Sequence, residues 1–510
     1  MNRLNFNDRR SSLRFKRINA RSVMDQYETG QLKNNDNILN IYEGLFGKSL
    51  SHDINGLPTE SEIIKLKEAL NSGLQSDFDS LVLGGSRKLA NPQASLGFEV
   101  IGPDLSTFTM PPPPTMGSKE SASEMIEVYE MALLRNISFD DIENEIGAGV
   151  IRAISSINDF GDSYTGVKIG GVVNGKSLFR SNLDGFDKGP YVSQLLYKPL
   201  NFGPHPITQK YGVDQGVYGI TFNNWLEIQK GNVPVTQQPL TTSKYINNGQ
   251  VLSSLVHNDF VYQLFLYGGL ILQESGVPKN PGFANLLNEG SFVTNGGVAD
   301  WSTALARLSH NALSASWDQK WRNHLRLRPE TFAGRVVSDQ DNGTSYVHPD
   351  IFTDGINTIN AVKNFNLSNG GDNKPFLPLV YAEGSPTHPS YPAGHAVISG
   401  ALTTLLKLFF DGSQSISMLG SVEHSIDGDS LVGYSGVTSG MTIGTELNKL
   451  AHNVARGRDI AGVHYLNDGF EGMLLGEKIA ICFFKENIRQ YHVNVGGFTL
   501  KKFDGSTITI

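Results

Sequence analysis

The sequence predicts a mainly α-helical protein with minor β-hairpins, and three observations support this fold class. Apolar residues recur at helical spacing through much of the C-terminal two-thirds of the 510-residue chain. Hydrophobic residues make up 39% of the chain and charged residues 18%, so enough apolar material is present for a substantial core. The tail from Phe498 to Ile510 alternates around Asp504-Gly505, as a hairpin would.

Shifts in composition divide the chain into five predicted segments. Residues 1–22 form a basic N-terminal arm with seven Lys or Arg residues, and packing on the body or on a neighbouring subunit is favoured over contact with nucleic acid. The other segments are an N-terminal helical and extended region at 23–115, a helical region with Gly- and Asn-rich loops at 116–290, a helical bundle at 291–490 and a β-hairpin tail at 491–510.

Capping and periodicity signals predict the individual helices. The run Pro111–Pro114 must be extended, and the pattern Ser121-x-x-Glu124 after it begins a helix. Further helices are predicted at about 250–274, 299–324, 395–411, 443–457 and 466–488.

One motif matches a nucleotide-binding pattern but lacks the helix that such a site needs. Residues Gly170 to Ser177 match the phosphate-loop pattern of nucleotide triphosphatases. The residues after Ser177 are poor helix formers, although a phosphate loop must lead into a helix, and Asn174-Gly175 is typical of a hairpin turn. The sequence therefore predicts a turn here and no nucleotide site.

Charge and hydropathy exclude several classes of protein. The formal net charge of −8 gives no general attraction to nucleic acid or anionic lipid. The longest apolar run, Leu264 to Leu272, is about half the length that spans a bilayer, and the first 22 residues contain no apolar stretch of signal-peptide length. We expect a soluble protein without nucleic-acid or membrane partners, in the cytoplasm or exported by an unrecognised route. Its single cysteine, Cys482, is expected to be buried and unreactive.

Three segments concentrate side chains that could bind an anion. In the first, Trp317 to Pro329, the residues Lys320, His324 and Arg328 follow at steps of four, on one stripe of a helix that Pro329 should end. Such a stripe is either a solvated basic face at a helix end or one wall of an anion site.

The second segment, Ser385 to His395, leads directly into an apolar helix. Pro392 suits a first helical position, so the free N–H groups at Gly394 and its neighbours would point outward as a seat for an anion. His395 beside that seat could move protons at neutral pH. The alternative is a capped helix with an incidental surface histidine.

The third segment runs from Ala455 to Gly469. Arg456 and Arg458 are two residues apart and cannot both face the same point. Asp468 can accept a hydrogen bond from one ring nitrogen of His464, which leaves the other nitrogen with a lone pair for a ligand. The alternative is a histidine paired with a carboxylate for structural reasons.

Together the segments offer the cations Lys320, Arg328 and Arg458, backbone N–H groups and two histidines. They contain no convergent set of Asp, Glu or Cys, so they would repel a divalent cation. The expected ligand is an oxyanion, either phosphate or its isostere vanadate, held by charge-assisted hydrogen bonds.

In this order, the three segments resemble the motifs of the vanadium-dependent haloperoxidases, whose site is shared with related acid phosphatases. The resemblance covers about residues 317 to 468 and implies that vanadate is bound by Lys320, Arg328, Gly394, Arg458 and His464. In that family the first histidine, here His395, is the acid and base, the second, here His464, ligates vanadium, and a lysine, here Lys320, assists catalysis.

The details resemble the bromoperoxidases of algae and cyanobacteria. Lys320 and Arg328 are eight residues apart, His388 matches a histidine near the vanadate thought to favour bromide over chloride, and Trp317 matches an aromatic position beside the halide site. Ala393 departs from the family, which usually has a serine whose hydroxyl bonds a vanadate oxygen. Loss of a hydrogen bond to a charged group costs about 1.5–3 kcal/mol, so vanadate binding is expected to be weaker or completed by water.

The resemblance implies a vanadium-dependent bromide peroxidase with four-helix-bundle cores, in which residues 291–490 are the catalytic bundle. It would oxidise bromide or iodide with hydrogen peroxide to hypohalous acid, which halogenates small organic substrates, and it would form a homo-oligomer between a dimer and a dodecamer. Two alternatives stay open: an acid phosphatase with a phosphohistidine at His464, and a non-catalytic scaffold suggested by Ala393 and the basic arm. A structural calcium ion, in addition to vanadate, is also left open.

Overall fold

The structure, a computed structural model, describes residues 34–39, 41–97 and 105–510. Within these residues it contains fifteen α-helices, one π-helical segment and six strands of three residues each. The predicted mainly α fold with minor β-hairpins is therefore confirmed. The basic arm predicted at 1–22 lies outside the described residues, and the division of the chain into five segments stays a prediction.

The helices of the N-terminal half are mostly short. In chain order they are α1 (Asn35–Ile38), α2 (Glu60–Ser72), α3 (Gln75–Asp79), α4 (Lys119–Leu134), α5 (Phe139–Glu143), α6 (Ala148–Asn158), α7 (Phe222–Gln229), α8 (Gly249–Leu255) and α9 (Gln263–Glu274). Residues predicted as one helix at 250–274 thus form two helices, α8 and α9, with a break between them.

The C-terminal half holds most of the long helices. They are α10 (Val298–Trp317), which continues as a π-helix (Asp318–His324), then α11 (Pro329–Asn342), α12 (Ile356–Ser368), α13 (Gly394–Phe409), α14 (Ile443–Ile460) and α15 (Leu466–Ile488). The helix predicted at 466–488 has those bounds, and those predicted at 395–411 and 443–457 differ from α13 and α14 by at most three residues at either end.

The strands form three antiparallel pairs, each a short hairpin at the edge of the helical body. They are β1 (Leu200–Phe202) with β2 (His205–Ile207), β3 (Val422–His424) with β4 (Leu431–Gly433), and β5 (Thr499–Lys501) with β6 (Thr507–Thr509). The last pair confirms the hairpin predicted in the tail. Short 3-10 helices occur at Tyr42–Gly44, Pro92–Leu96, Leu105–Thr107, Gly161–Ser163, Gln194–Leu196, Pro349–Phe352 and Ile416–Met418.

The core is organised around α13, which packs against α10, α14 and α15. These four helices make the bundle that the resemblance implied. A Cβ at Gly400 of α13 would lie 2.1 Å from the Met473 carbonyl oxygen, and one at Gly476 of α15 would lie 2.1 Å from that of Val397. Glycine at both positions therefore allows the backbones of α13 and α15 to touch, which places the start of α13 beside the start of α15.

The motif at Gly170 to Ser177 forms no phosphate loop. No helix follows Ser177, which agrees with the prediction, but the two-residue turn lies four residues earlier than expected. The bridge joins Ile169 to Val172 around Gly170-Gly171, whereas the Asn174 side chain accepts from the backbone N–H groups of Lys176 and Ser177. The prediction of a two-residue hairpin turn at Asn174-Gly175 is wrong, because the Asn174 side chain closes a local turn of its own.

Two further expectations concern burial and membranes. Cys482 is partly rather than fully buried. In the part of the chain that the structure describes, no helix is long and apolar enough to cross a membrane.

Candidate active site

The first predicted segment is not one helical stripe. The π-helix after α10 is ended by Leu325, whose φ of 50° lies in the left-handed region, and Arg328 is the N-cap of α11 with Pro329 as its first residue. Pro329 begins a helix instead of ending one, because a first helical position needs no N–H donor. His324 hydrogen-bonds Gln319 and packs edge-on against the Tyr391 ring, so the prediction that it shares a stripe with Lys320 and Arg328 is wrong.

Lys320 is fully buried under the loop that carries His388. Its Nζ donates to the carbonyl oxygens of Pro389 at 2.7 Å and Ser390 at 2.8 Å. Burial, and then the charge of Arg328, holds the pKa of Lys320 well below its ordinary value. An ammonium group has three donors, so one remains for another acceptor.

Arg328 joins all three segments. Its Nε donates to the His388 carbonyl at 2.9 Å and its NH2 to His388 Nδ1 at 3.0 Å, while NH1 contacts the Val463 carbonyl at 2.6 Å and His464 Nε2 at 2.9 Å. Burial lowers its pKa to about 9. The guanidinium therefore lies where the His388 loop meets the start of α15.

His464 lies just before α15, and Asp468 in the first turn of that helix accepts from its Nδ1 at 2.9 Å. These partners place the ring proton on Nδ1 and leave Nε2 with its lone pair, which Arg328 contacts. Burial, followed by the charges of Arg328, Lys320 and Arg458, holds the pKa of His464 well below its ordinary value. The ring is thus neutral at physiological pH.

Arg458 lies in the last turn of α14 with its side chain buried. NH1 donates to the Val256 carbonyl at 2.6 Å, and the guanidinium carbon lies 5.4 Å from the centroid of the Tyr381 ring. Within residues 34–39, 41–97 and 105–510, the buried Nε has no hydrogen-bond partner. Arg456 turns elsewhere, to Glu127 and Asp459, as the spacing predicted.

The helix α13 contributes its N-terminus. Ala393 is the N-cap and has no side-chain cap, and the helix begins at Gly394, so the prediction that Pro392 is the first helical residue is wrong. A Cβ at Gly394 would lie 3.8 Å from the Trp317 ring, so the glycine leaves the space beside Trp317 open. Ala393 packs in a small apolar cluster that includes Ala396 and Met473.

His395 marks the solvent side of the site. Its side chain is 31% exposed, and its Nε2 lies 2.9 Å from Asp259 Oδ1 in the loop between α8 and α9. Burial would raise the pKa of Asp259, but the charge and hydrogen bond of His395 lower it on balance.

His388 and Trp317 form one wall. Their ring centroids are 4.7 Å apart, and the Trp317 Nε1 donates to the Ala90 carbonyl at 3.0 Å. Burial, with the charges of Lys320 and Arg328, holds the pKa of His388 well below its ordinary value. This wall is thus a neutral histidine against an indole.

The donor set fits an oxyanion. Throughout the described residues, no carboxylate oxygen lies within ion-pair distance of Lys320, Arg328 or Arg458, whose partners are carbonyl oxygens and neutral histidines. The unpartnered Arg458 Nε and the uncapped start of α13 supply further donors. Buried charges are normally paired, so three such cations indicate an anionic ligand.

Four residues with a place in this arrangement were missed from the sequence. They are Glu124, Asp259, Arg326 and Ser390. Arg326 stands inside the first segment, between Lys320 and Arg328, and its charge was a signal that could have been followed. Asp259 carries no local signal, because it lies 136 residues before His395.

Comparisons with known proteins agree with this geometry. A profile of the VCPO second helical-bundle domain matches residues 302–492. The vanadium-dependent bromoperoxidases of Corallina pilulifera and Ascophyllum nodosum are each 31% identical to the chain, over 91% of its length and 90% and 87% of theirs. The homohexameric structure of the second vanadate-dependent bromoperoxidase of Ascophyllum nodosum superposes with a TM-score of 0.90 at 26% identity, covering 100% of this chain and 92% of that one. The chain therefore belongs to the vanadium-dependent bromoperoxidase family of enzymes.

Proposed function

We propose that this protein oxidises bromide, and also iodide, with hydrogen peroxide at the site formed by Lys320, Arg328, Arg458 and His464. The observation that carries the proposal is the set of three buried cations around a neutral histidine, which have no carboxylate partner among the described residues. The net reaction combines hydrogen peroxide, bromide and one proton to give hypobromous acid and water. The acid then halogenates electron-rich small organic molecules near the site.

Vanadate is the proposed cofactor. His464 Nε2 would be its protein ligand, and Lys320, Arg328, Arg458 and the Gly394 N–H would hold its oxygens. When bound, it supplies a Lewis acid that makes peroxide a better oxygen donor without a change of oxidation state. The positive charges that hold it are already in place, so they need no reorganisation during the reaction.

His395 is the proposed acid and base. Its Nε2 is engaged by Asp259, so Nδ1 is the nitrogen that takes the proton from hydrogen peroxide and later returns it to the leaving oxygen. A carboxylate behind an imidazole orients the ring and stabilises its protonated form. Asp259 is therefore the orienting group for this step.

Lys320 has one donor left after its bonds to Pro389 and Ser390, and that donor polarises the oxygen that is transferred. His388 and Trp317 form the wall along which the halide approaches. The nearby positive charges of Lys320 and Arg328 attract a halide ion, and the indole of Trp317 makes this wall partly apolar.

The decisive assay uses the purified protein with and without orthovanadate. We expect vanadate-dependent bromination of a β-diketone in the presence of peroxide and bromide, with little hydrolysis of nitrophenyl phosphate by the vanadate-free protein. Absence of vanadate-dependent halogenation would reject the proposal. Phosphate-ester hydrolysis inhibited by vanadate would instead support the phosphatase alternative.

We also propose that the protein is a homo-oligomer, because the structural relative in Ascophyllum nodosum is homohexameric. Light scattering after size-exclusion chromatography tests this, and a mass of one 55.7 kDa chain would contradict it. Among the described residues, no group of three or more His, Cys, Asp or Glu side chains could hold a metal ion. A structural calcium ion accordingly stays a prediction without a ligand set.

A further inference from the structure

Arg326 is a buried arginine that the proposed reaction does not use. Its NH1 donates to Asp468 Oδ1 at 2.8 Å and its NH2 to Glu124 Oε2 at 2.6 Å, and all three side chains are at most 2% exposed. Its guanidinium carbon lies 4.0 Å from the centroid of the Tyr465 ring. Such a planar fork can bind two carboxylates at once, which an ammonium group does less well.

The carboxylate of Asp468 is held from both sides. Its Oδ2 accepts from His464 Nδ1 at 2.9 Å, from the Tyr465 N–H at 3.2 Å and from the Ser390 hydroxyl. Its Oδ1 accepts from Arg326. Arg326 thus donates to the Asp468 oxygen that His464 does not contact.

Glu124 of α4 is the second carboxylate that contacts Arg326. Its Oε1 accepts from the Asn467 N–H at 2.8 Å in the first turn of α15, while Oε2 accepts from Arg326. The Arg326 carbonyl also accepts from the Ser390 N–H at 2.9 Å. Glu124 and Arg326 thus contact both the start of α15 and the loop whose carbonyl oxygens accept from Lys320.

A matched arrangement around Arg456 has no residue of the site as a hydrogen-bond partner in the part of the chain that the structure describes. Arg456 lies between Glu127, one turn along α4 from Glu124, and Asp459, with a 2.8 Å bond from its NH1 to Asp459 Oδ2. These side chains are equally buried, but Asp459 Oδ1 has no hydrogen-bond partner among the residues that the structure describes. Of these two arrangements, that of Arg326 is the one that reaches a histidine of the site, since Asp468 accepts from both Arg326 and His464.

We propose that Arg326 is a positioning residue that holds Asp468, and through it the His464 ring, so that Nε2 faces the bound oxyanion, while Glu124 holds Arg326. This inference rests on the proposed function, because it assigns Nε2 as a ligand atom. The inference predicts different effects of an Arg326 substitution on the binding of two anions. Vanadate can take the histidine nitrogen as a ligand, whereas orthophosphate is held by charge and hydrogen bonds alone.

The test titrates vanadate-free protein with orthovanadate and, separately, with orthophosphate, following tryptophan fluorescence. Substitution of groups that support a metal-ligating histidine typically weakens metal affinity about 10- to 100-fold, and we expect Arg326→Lys to weaken vanadate binding by that amount while orthophosphate binding is retained. Glu124→Gln should weaken vanadate binding in the same direction by less. The controls Arg456→Lys and Glu127→Gln should leave the affinity for both anions as in the wild type.

Thermal unfolding of each ligand-free variant is measured alongside the titrations. Equal vanadate affinity in Arg326→Lys and Arg456→Lys would overturn the inference, and so would a parallel loss of both anions in Arg326→Lys. If Arg326→Lys does not fold, the anion affinities of Glu124→Gln and Glu127→Gln are compared instead. Equal vanadate affinity in these two variants would then overturn the inference. A wild-type protein that binds no vanadate would reject the proposed function itself, which is a separate result.

Discussion

Arg456 and Arg458 are two buried arginines on one helix whose removal should have opposite effects on stability. Arg456 lies between two carboxylates, whereas Arg458 bonds the Val256 carbonyl and its Nε has no partner in the described part of the chain. We predict that Arg458→Met raises the free energy of unfolding of the ligand-free protein and weakens vanadate binding. A methionine can still pack on the Tyr381 ring that Arg458 covers.

The size of the gain follows from charge repulsion. The charge of Arg458 lowers the pKa of both Lys320 and Arg328, so it repels each of them. At an effective dielectric constant of about 20, two unit charges repel by about 4 kcal/mol at about 4 Å and by half of that at twice the separation, so we take about 4 kcal/mol for the two pairs together. The lost bond to Val256 offsets about 1.5–3 kcal/mol, so the net gain is about 1–2.5 kcal/mol.

Arg458→Met should also weaken the binding of the anion. An anion in the site loses one charge-assisted partner, worth about 1.5–3 kcal/mol, and its dissociation constant should rise about 10- to 150-fold. The control Arg456→Met leaves Glu127 and Asp459 buried without their cation, and it should lower the free energy of unfolding by about 3–5 kcal/mol.

Urea unfolding of the ligand-free proteins at pH 7 and one fixed concentration, followed by fluorescence, measures the stabilities. Vanadate titration of the folded proteins measures the affinities. A destabilised Arg458→Met protein that binds vanadate as tightly as the wild type would refute the reasoning, because Arg458 would then be a structural cation and not part of an anion site.

Three other predictions follow from the same geometry. His464→Ala should abolish vanadate-dependent bromination while far-UV circular dichroism stays as in the wild type, and bromination at the wild-type rate would contradict the role of Nε2. Ala393→Ser should lower the vanadate dissociation constant by up to about 10- to 150-fold if the new hydroxyl reaches an oxygen of the anion, and an unchanged constant would show that water already supplies that bond. Because the pKa of Asp259 is lowered in the folded protein, its stabilising contribution is present above the ordinary value of 3.8 and is lost as the pH falls through the folded value. Urea unfolding across an acid pH series should show a steeper loss of stability for the wild type than for Asp259→Asn, and parallel curves would count against the Asp259–His395 pair.

Local patterns in the sequence were sufficient for several elements. The helix at 466–488 was predicted with its bounds, and the tail hairpin around Gly505 was predicted from alternation and a turn dipeptide. Both signals depend only on neighbouring residues. The stripe of Lys320, His324 and Arg328 failed because a π-helix changes the angular spacing of side chains and Leu325 ends the helix before Arg328.

The sequence by itself determined the residue types of the site and their order: cations, a glycine before a histidine, and a histidine followed by an aspartate four residues later. Those patterns are local, and the chemistry of an oxyanion site requires them. Only the tertiary structure decided which cations have no carboxylate partner, that Arg328 reaches both His388 and His464, and that Asp259 and Glu124 lie behind the site. The physical reason is that pairing and burial of charge depend on groups that are far apart in the chain and meet only when the bundle is packed.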